Sequence, residues 1–270
     1  MMKTGFIILF SLLVMQSAFS ADYEAAYAAY KDGDYQSALS GFTQLADENH
    51  MQAQFYLGEM FREGNGVEQD YAESLKWYRL AASYGESKAQ HNVAMFHHNG
   101  LDVERDINTA ITWYLKAAEQ DYIPSQQNLA LLYYRGQGVE QDLSAAIKWW
   151  QRAANLGSKG AQHNLGLMYY LGRDVEQDYQ AAFMWYLKAA KQGSGEAQNS
   201  LGAMYFEGLG VERNLIEAYA WFKLAEQGEQ EISKLNIGII ETKLSPEELD
   251  VAREKADAYS VKYRKSGDRD

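Results

Sequence analysis

Ala161 to Gly193 reads AQHNLGLMYYLGRDVEQDYQAAFMWYLKAAKQG, and its two halves carry different signals. In the first half Ala161, Leu165, Met168, Tyr169 and Gly172 recur at helical spacing, which predicts a helix with one buried face. Gly172 stops that helix, as glycine does at helix C-termini. Asp178 then opens a second helix as its N-cap. Farther on, Trp185-Tyr186 stand beside Ala189-Ala190, large rings next to paired small residues that let two helices pack closely.

The same frame runs through the chain. Val67, Val103, Val139, Val175 and Val211 are 36 residues apart, and so are Trp77, Trp113, Trp149, Trp185 and Trp221. A period of that length marks an array of equal units, each resting mainly on its neighbours. One unit runs from Ala53 to Lys88, with Ala53, Leu57, Met60, Phe61 and Gly64 as its first apolar face. Gly58, Ala94, Ala130, Gly166 and Gly202 keep one row almost free of side chain, so another helix is expected to cross close by. Gly66, Asp102, Gly138, Asp174 and Gly210 alternate as residues that tolerate positive φ. Asp70, Asp106, Asp142, Asp178 and Asn214 read as N-caps, with Glu73 and Glu217 completing a variant capping box.

This pattern, A-x-x-x-L-G-x-x-Y-x-x-G-x-G-V-x-x-D-x-x-x-A-x-x-W-Y-x-x-A-A-x-x-G, resembles the Sel1-like repeat, a relative of the tetratricopeptide repeat. The fourth copy carries it nearly whole, in Ala161, Leu165, Gly166, Tyr169, Gly172, Val175, Asp178, Ala182, Trp185, Tyr186, Ala189, Ala190 and Gly193. The resemblance implies an all-α, right-handed α/α superhelical solenoid of helix-turn-helix repeats. It also implies an adaptor that organises protein complexes. Residues 53–229 hold five copies; residues 21–52, with Gly33-Asp34-Tyr35, Ala38 and Phe42, read as a divergent tetratricopeptide-like cap. Residues 230–264 read as capping helices: Leu235-Asn236-Ile237-Gly238 echoes a first helix, and Ser245-Pro246-Glu247-Glu248 starts a last one. Residues 265–270 form a polar tail.

The first twenty residues have the layout of a cleavable secretory signal: Lys3, an apolar run from Phe6 to Met15, and Ala18-Phe19-Ser20 before a cut at Ala21. An uncleaved anchor is the competing reading, and the apolar run is short for a bilayer crossing. The expected location is the periplasm, with secretion as the alternative and no stable membrane insertion after cleavage. The chain has no cysteine, which excludes disulfides, thiolate nucleophiles and sulfur metal sites. Without Lys3 there are 24 basic residues against 37 acidic, a net charge near −13, and such a surface repels nucleic acid.

No Gly-x-Ser-x-Gly elbow or Ser-x-x-Lys motif follows the leader. His91 and His163 hold one row two units apart, on the order of 20 Å at ~10 Å per helix layer, too far for one metal ion. His91 and His98 share a helix face but lack a third ligand. No metal, cofactor or catalytic residue is therefore expected. The stronger signal is a stripe on the first helix of each unit. It comprises Phe55, His91, Gln127, His163 and Asn199, then Glu59, Met95, Leu131, Leu167 and Ala203, then Arg62, His98, Tyr134, Tyr170 and Phe206. The expectation is a concave groove for a peptide or protein segment on this stripe. Burial of Leu131, Tyr134, Leu167 and Tyr170 as extra core is an equal alternative. Two other functions use the same face: a cell-wall-active hydrolase with Glu59, Glu63 and Glu207, and glycan stacking on Tyr134, Tyr170 and Phe206. Invariant Gln54, Gln90, Gln126, Gln162 and Gln198, with Asn92, Asn128 and Asn164, read as structural amides bonded between units.

Overall fold

The structure, a computed structural model, describes residues 22–227 and 231–263. The expected leader at 1–20, its cut before Ala21 and the tail at 265–270 lie outside them. Every regular element among the described residues is a helix: α1 over 22–31, α2 Tyr35–Asp47, α3 Met51–Glu63, α4 Tyr71–Ser83, α5 Ser87–Asn99, α6 Ile107–Glu119, α7 Ile123–Arg135, α8 Leu143–Asn155, α9 Lys159–Leu171, α10 Tyr179–Lys191, α11 Gly195–Glu207, α12 Leu215–Gln227, α13 Glu231–Glu241 and α14 Pro246–Lys262. The fold is an all-α solenoid of helix pairs, with first helices α3, α5, α7, α9 and α11 and second helices α4, α6, α8, α10 and α12. The chain falls into two compact bodies, one through Ser125 and one from Gln126. No described helix is long and apolar enough to cross a membrane.

Each turn between paired helices is closed by bonds that recur in all five repeats. The first helix ends at a left-handed glycine in all five repeats, as at Gly64 with φ 73° and Gly136 with φ 66°. The chain then doubles back, and the backbone N–H of Asp70 donates to the Phe61 carbonyl (2.9 Å). Asp106, Asp142, Asp178 and Asn214 make the same bond. Asp70 caps α4 by accepting from the Glu73 N–H at 2.9 Å, and the later caps repeat it. Asp102 and Asp174 adopt φ of 52° and 57° where the other copies place glycine, as the alternation predicts. The capping boxes expected at Glu73 and Glu217 do not form. Glu73 pairs instead with Lys76, and Glu217 is drawn to Lys255 and Tyr259 of α14. Among the described helices, α14 itself has the reciprocal box, between Ser245 and Glu248.

The core lies between the helices of each pair. Ala53, Leu57 and Met60 of α3 are buried, and so are their counterparts in the later first helices. Phe61, read from sequence as core, is half-buried. The adjacent ring positions of the second helices also divide unequally. Tyr78, Tyr114, Trp150, Tyr186 and Phe222 are all buried. Of the invariant tryptophans Trp221 alone is buried, while Trp77, Trp113, Trp149 and Trp185 are half-buried. A cation covers the outer face of several of these rings: Lys116 stands 3.9 Å above Trp113, and Lys188 3.9 Å above Trp185.

Candidate interaction face

The small-residue row on the first helix exists because a ring lies on it. A Cβ on Gly166 would stand 2.6 Å from Cδ1 of Tyr186, and on Gly202 2.7 Å from Cδ1 of Phe222. The close approach expected there is made by the second helix's aromatic side chain. That ring also meets the candidate stripe, as Tyr78 meets Phe55 and Tyr186 meets His163, so the stripe is decided by what each repeat puts around its ring.

In the first body α3 and α4 build a charged cluster. Tyr78 donates its hydroxyl to Glu59 Oε1, which also accepts from Asn92 Nδ2 at 2.8 Å. The Arg62 guanidinium bonds Glu59 and Glu63 at 2.7 Å each, and its Nε donates to the Tyr78 hydroxyl at 3.2 Å. Burial, with the Glu59 carboxylate beside it, pushes the Tyr78 hydroxyl well above its usual range and keeps it a donor. Glu59 and Glu63, two of the three carboxylates in the hydrolase reading, thus share one guanidinium. In the next repeat Tyr114 donates to Met95 Sδ (2.9 Å), and its oxygen lies 3.3 Å from His98 Nδ1.

The row beginning at Phe55 is a correction to the groove reading. Phe55 is buried in a cluster with Leu75, Tyr78, Ala89 and Val93. The polar members of this row bond to the following first helix: His91 Nδ1 lies 2.9 Å from Ser125 Oγ, and Asn199 Oδ1 accepts from Ser233 Oγ at 3.0 Å. His163 stands 3.5 Å from Glu196, and a Cβ on Gly160 would stand 2.9 Å from Gln127 Nε2. The row is a seam between repeats because these contacts run to the following first helix. Burial alone holds the His91 imidazole down to about 4, and lowers His163 despite Glu196.

Tyr134 and Tyr170 are neither free nor core. Both are half-buried: Tyr134 packs on Trp150 at 5.4 Å and receives Arg173 at 3.3 Å, and Tyr170 meets Tyr179 edge-on at 5.4 Å. Leu131, Leu167 and Phe206 are half-buried too, with the Arg213 guanidinium 5.8 Å from the Phe206 ring. The second body therefore presents half-buried aromatic groups on its first helices.

Two features escaped the sequence reading. On α1, Tyr23, Tyr27 and Tyr30 follow the same four-and-three spacing as the stripe, and they cluster with Tyr56. The turn after α1 is shorter than in the repeats, which throws these tyrosines out of the 36-residue register, although their spacing was a usable signal. The other is the residue before each N-cap. Gln69, Arg105, Gln141, Gln177 and Arg213 each donate a side-chain bond to the carbonyl seven residues back, that of Arg62, His98, Tyr134, Tyr170 or Phe206. Glutamine and arginine in one column share little except a long side chain ending in N–H, so the column looked variable. The invariant glutamines behave as read: Gln54, Gln90, Gln162 and Gln198 each donate to a carbonyl in the last turn of the preceding second helix, at 3.1 to 3.3 Å.

The family model for the Sel1 repeat matches residues 52–85, 87–122, 123–158, 160–194 and 195–228, and the chain belongs to the Sel1 repeat family. Proteins built from these repeats are generally protein-interaction scaffolds. Among solved structures, the chain is similar to a Sel1 repeat protein from Oxalobacter formigenes, with 29% identity and a TM-score of 0.73, covering 76% of this chain and 84% of that one. It is also similar to c5321, a protective antigen of uropathogenic Escherichia coli strains displaying an SLR fold, with 30% identity and a TM-score of 0.60. That match covers 94% of this chain and 63% of the antigen. A search of curated proteins finds none that matches.

Proposed function

We propose that the protein is an exported, non-enzymatic scaffold that holds a peptide or protein segment against the first-helix faces of its repeats. The observation that carries this reading is two separate sets of half-buried rings, Tyr23, Tyr27 and Tyr30 on α1 of the first body and Tyr134 and Tyr170 on the first helices of the second. Half-buried tyrosines held by neighbouring rings offer contact area at low entropic cost, and such anchors carry a large share of binding energy at interfaces. Phe55, His91 and His163 support the face from below, as members of the seam. Export rests on the leader, with cleavage after Ser20 and residence in the periplasm. N-terminal sequencing of the mature protein should start at Ala21, and a start at Met1 refutes this route.

The test of binding is photocrosslinking in intact cells, with a photoreactive phenylalanine replacing Tyr134 or Tyr170 and, as control, the exposed Lys148. Mass spectrometry is expected to recover a protein adduct from the two tyrosine positions and none from Lys148. Equal capture at all three positions, or recovery of glycan alone, overturns the reading.

A further inference from the structure

In the last part of the chain α13 is a first helix without its second helix. Ile237 and Gly238 stand 180 residues, five periods, after Leu57 and Gly58. Ile237 is buried as its counterparts are, packed with Tyr219 and Phe222. Gly238 differs: a Cβ there would meet nothing within 4 Å, whereas Gly166 and Gly202 lie under rings. The position in register with those rings is Ala258, which has no ring to offer and is exposed. α14 turns back on α12 instead, burying Ala252 and Ala256, bonding Glu217 through Lys255 and Tyr259, and laying Tyr259 4.8 Å from Trp221.

The missing helix leaves one apolar surface. Leu235 and Ile239 are 63% and 40% exposed, and Ile232, a turn earlier, is 54% exposed. Leu235 occupies the row of His163, whose ring in an inner repeat touches the second helix's Tyr186 at 5.4 Å. Gly238 occupies the row on which that same ring lies. One absent element, a helix carrying an aromatic side chain, accounts for both uncovered positions.

We propose that α13 docks an amphipathic helix from another protein, which lays an aromatic ring on Gly238 between Leu235 and Ile239 and so completes a sixth repeat. The repeat geometry specifies the occupant, because docking there continues the interface each inner pair already makes. In a second copy of this chain the five rings of the matching row, Tyr78, Tyr114, Trp150, Tyr186 and Phe222, are already buried in their own repeats. The site is separate from the tyrosine faces and does not depend on them.

The probe is a synthetic peptide of residues 178–193, the second helix whose Tyr186 covers Gly166. A side-chain link between the exposed positions 180 and 184 holds it helical. Fluorescence anisotropy against the full-length protein is expected to show saturable binding. Binding should be lost with Tyr186→Ala in the peptide, and with Gly238→Leu in the protein, which has open space for the new side chain. Tyr134→Ala in the protein should leave the affinity within about twofold. Absence of saturable binding overturns the proposal. So does binding that survives Gly238→Leu, or that Tyr134→Ala removes. A concentration-dependent dimer in light scattering that Gly238→Leu abolishes would assign the face to a second copy and overturn it equally.

Discussion

The ring of Tyr78 lies against the backbone of α3 at Gly58, where an added Cβ would stand 2.5 Å from Cδ1 and 2.6 Å from Cε1. This contact joins the two helices of the repeat, and it also aims the Tyr78 hydroxyl past the backbone at Glu59 and Arg62. In this repeat packing and surface chemistry are therefore coupled through one side chain.

Gly166→Leu forces the Tyr186 ring off the helix it covers, and overpacking of this kind costs about 1–3 kcal/mol. Gly238→Ala, on an open helical surface, should raise stability by about 0.5–1 kcal/mol, because alanine loses less backbone entropy than glycine. Urea unfolding of the two variants beside the wild type measures both shifts. Equal effects would show that the ring does not decide what this row tolerates.

Glu59→Ala removes the acceptor for Tyr78 and Asn92 and one of the two carboxylates on Arg62. Stranding buried donors costs about 1–3 kcal/mol, and the loss should fall at the upper end because Tyr78 is fully buried. Glu59→Leu, the residue type of the same row in the third and fourth repeats, should recover part of it by filling the space. Chemical denaturation of both variants decides the order.

Acidification should destabilise the protein through His91. The folded imidazole stays neutral down to about 4, while the unfolded one takes up a proton near its ordinary value of about 6.5. Between these values the unfolded chain binds more protons, so stability falls as the pH falls. From pH 7.5 to 5.5 the loss from this group is about 1 kcal/mol. His91→Gln, with the residue of the third repeat at that position, should remove that part of the slope. Unfolding free energies of both proteins at the two pH values give the comparison, and parallel slopes would rule out His91 as the source.

Gln162→Leu keeps the apolar volume of a 5% exposed side chain but deletes its bond to the Ala154 carbonyl and its acceptor for Gln192. The expected cost is about 1–3 kcal/mol. Gln192→Ala, whose amide is on the exposed side of the same pair, should cost less than 1 kcal/mol. A reversed order in thermal melts would place the structural weight on the outer residue.

The repeat, its helix boundaries and its caps were legible in the sequence because each rests on local chemistry. Glycine at positive φ, Asp70 and its counterparts accepting an N–H three residues on, and an apolar face at helical spacing need no distant partner. The small-residue row was legible for the same reason, since a missing side chain is visible in the sequence whatever covers it. What filled that space was a tertiary matter. Trp77 and Tyr78 are neighbours of similar size, yet Tyr78 is buried and Trp77 half-buried, because successive residues on a helix point about 100° apart. The stripe divided likewise: Phe55 and His91 face the next repeat, whereas Tyr134 and Tyr170 lie beside a ring at the edge of their own. A 36-residue period determines that such rows exist. Which row becomes a seam and which stays half-open depends on the direction in which one helix pair is laid on the next, and only the tertiary structure decided that.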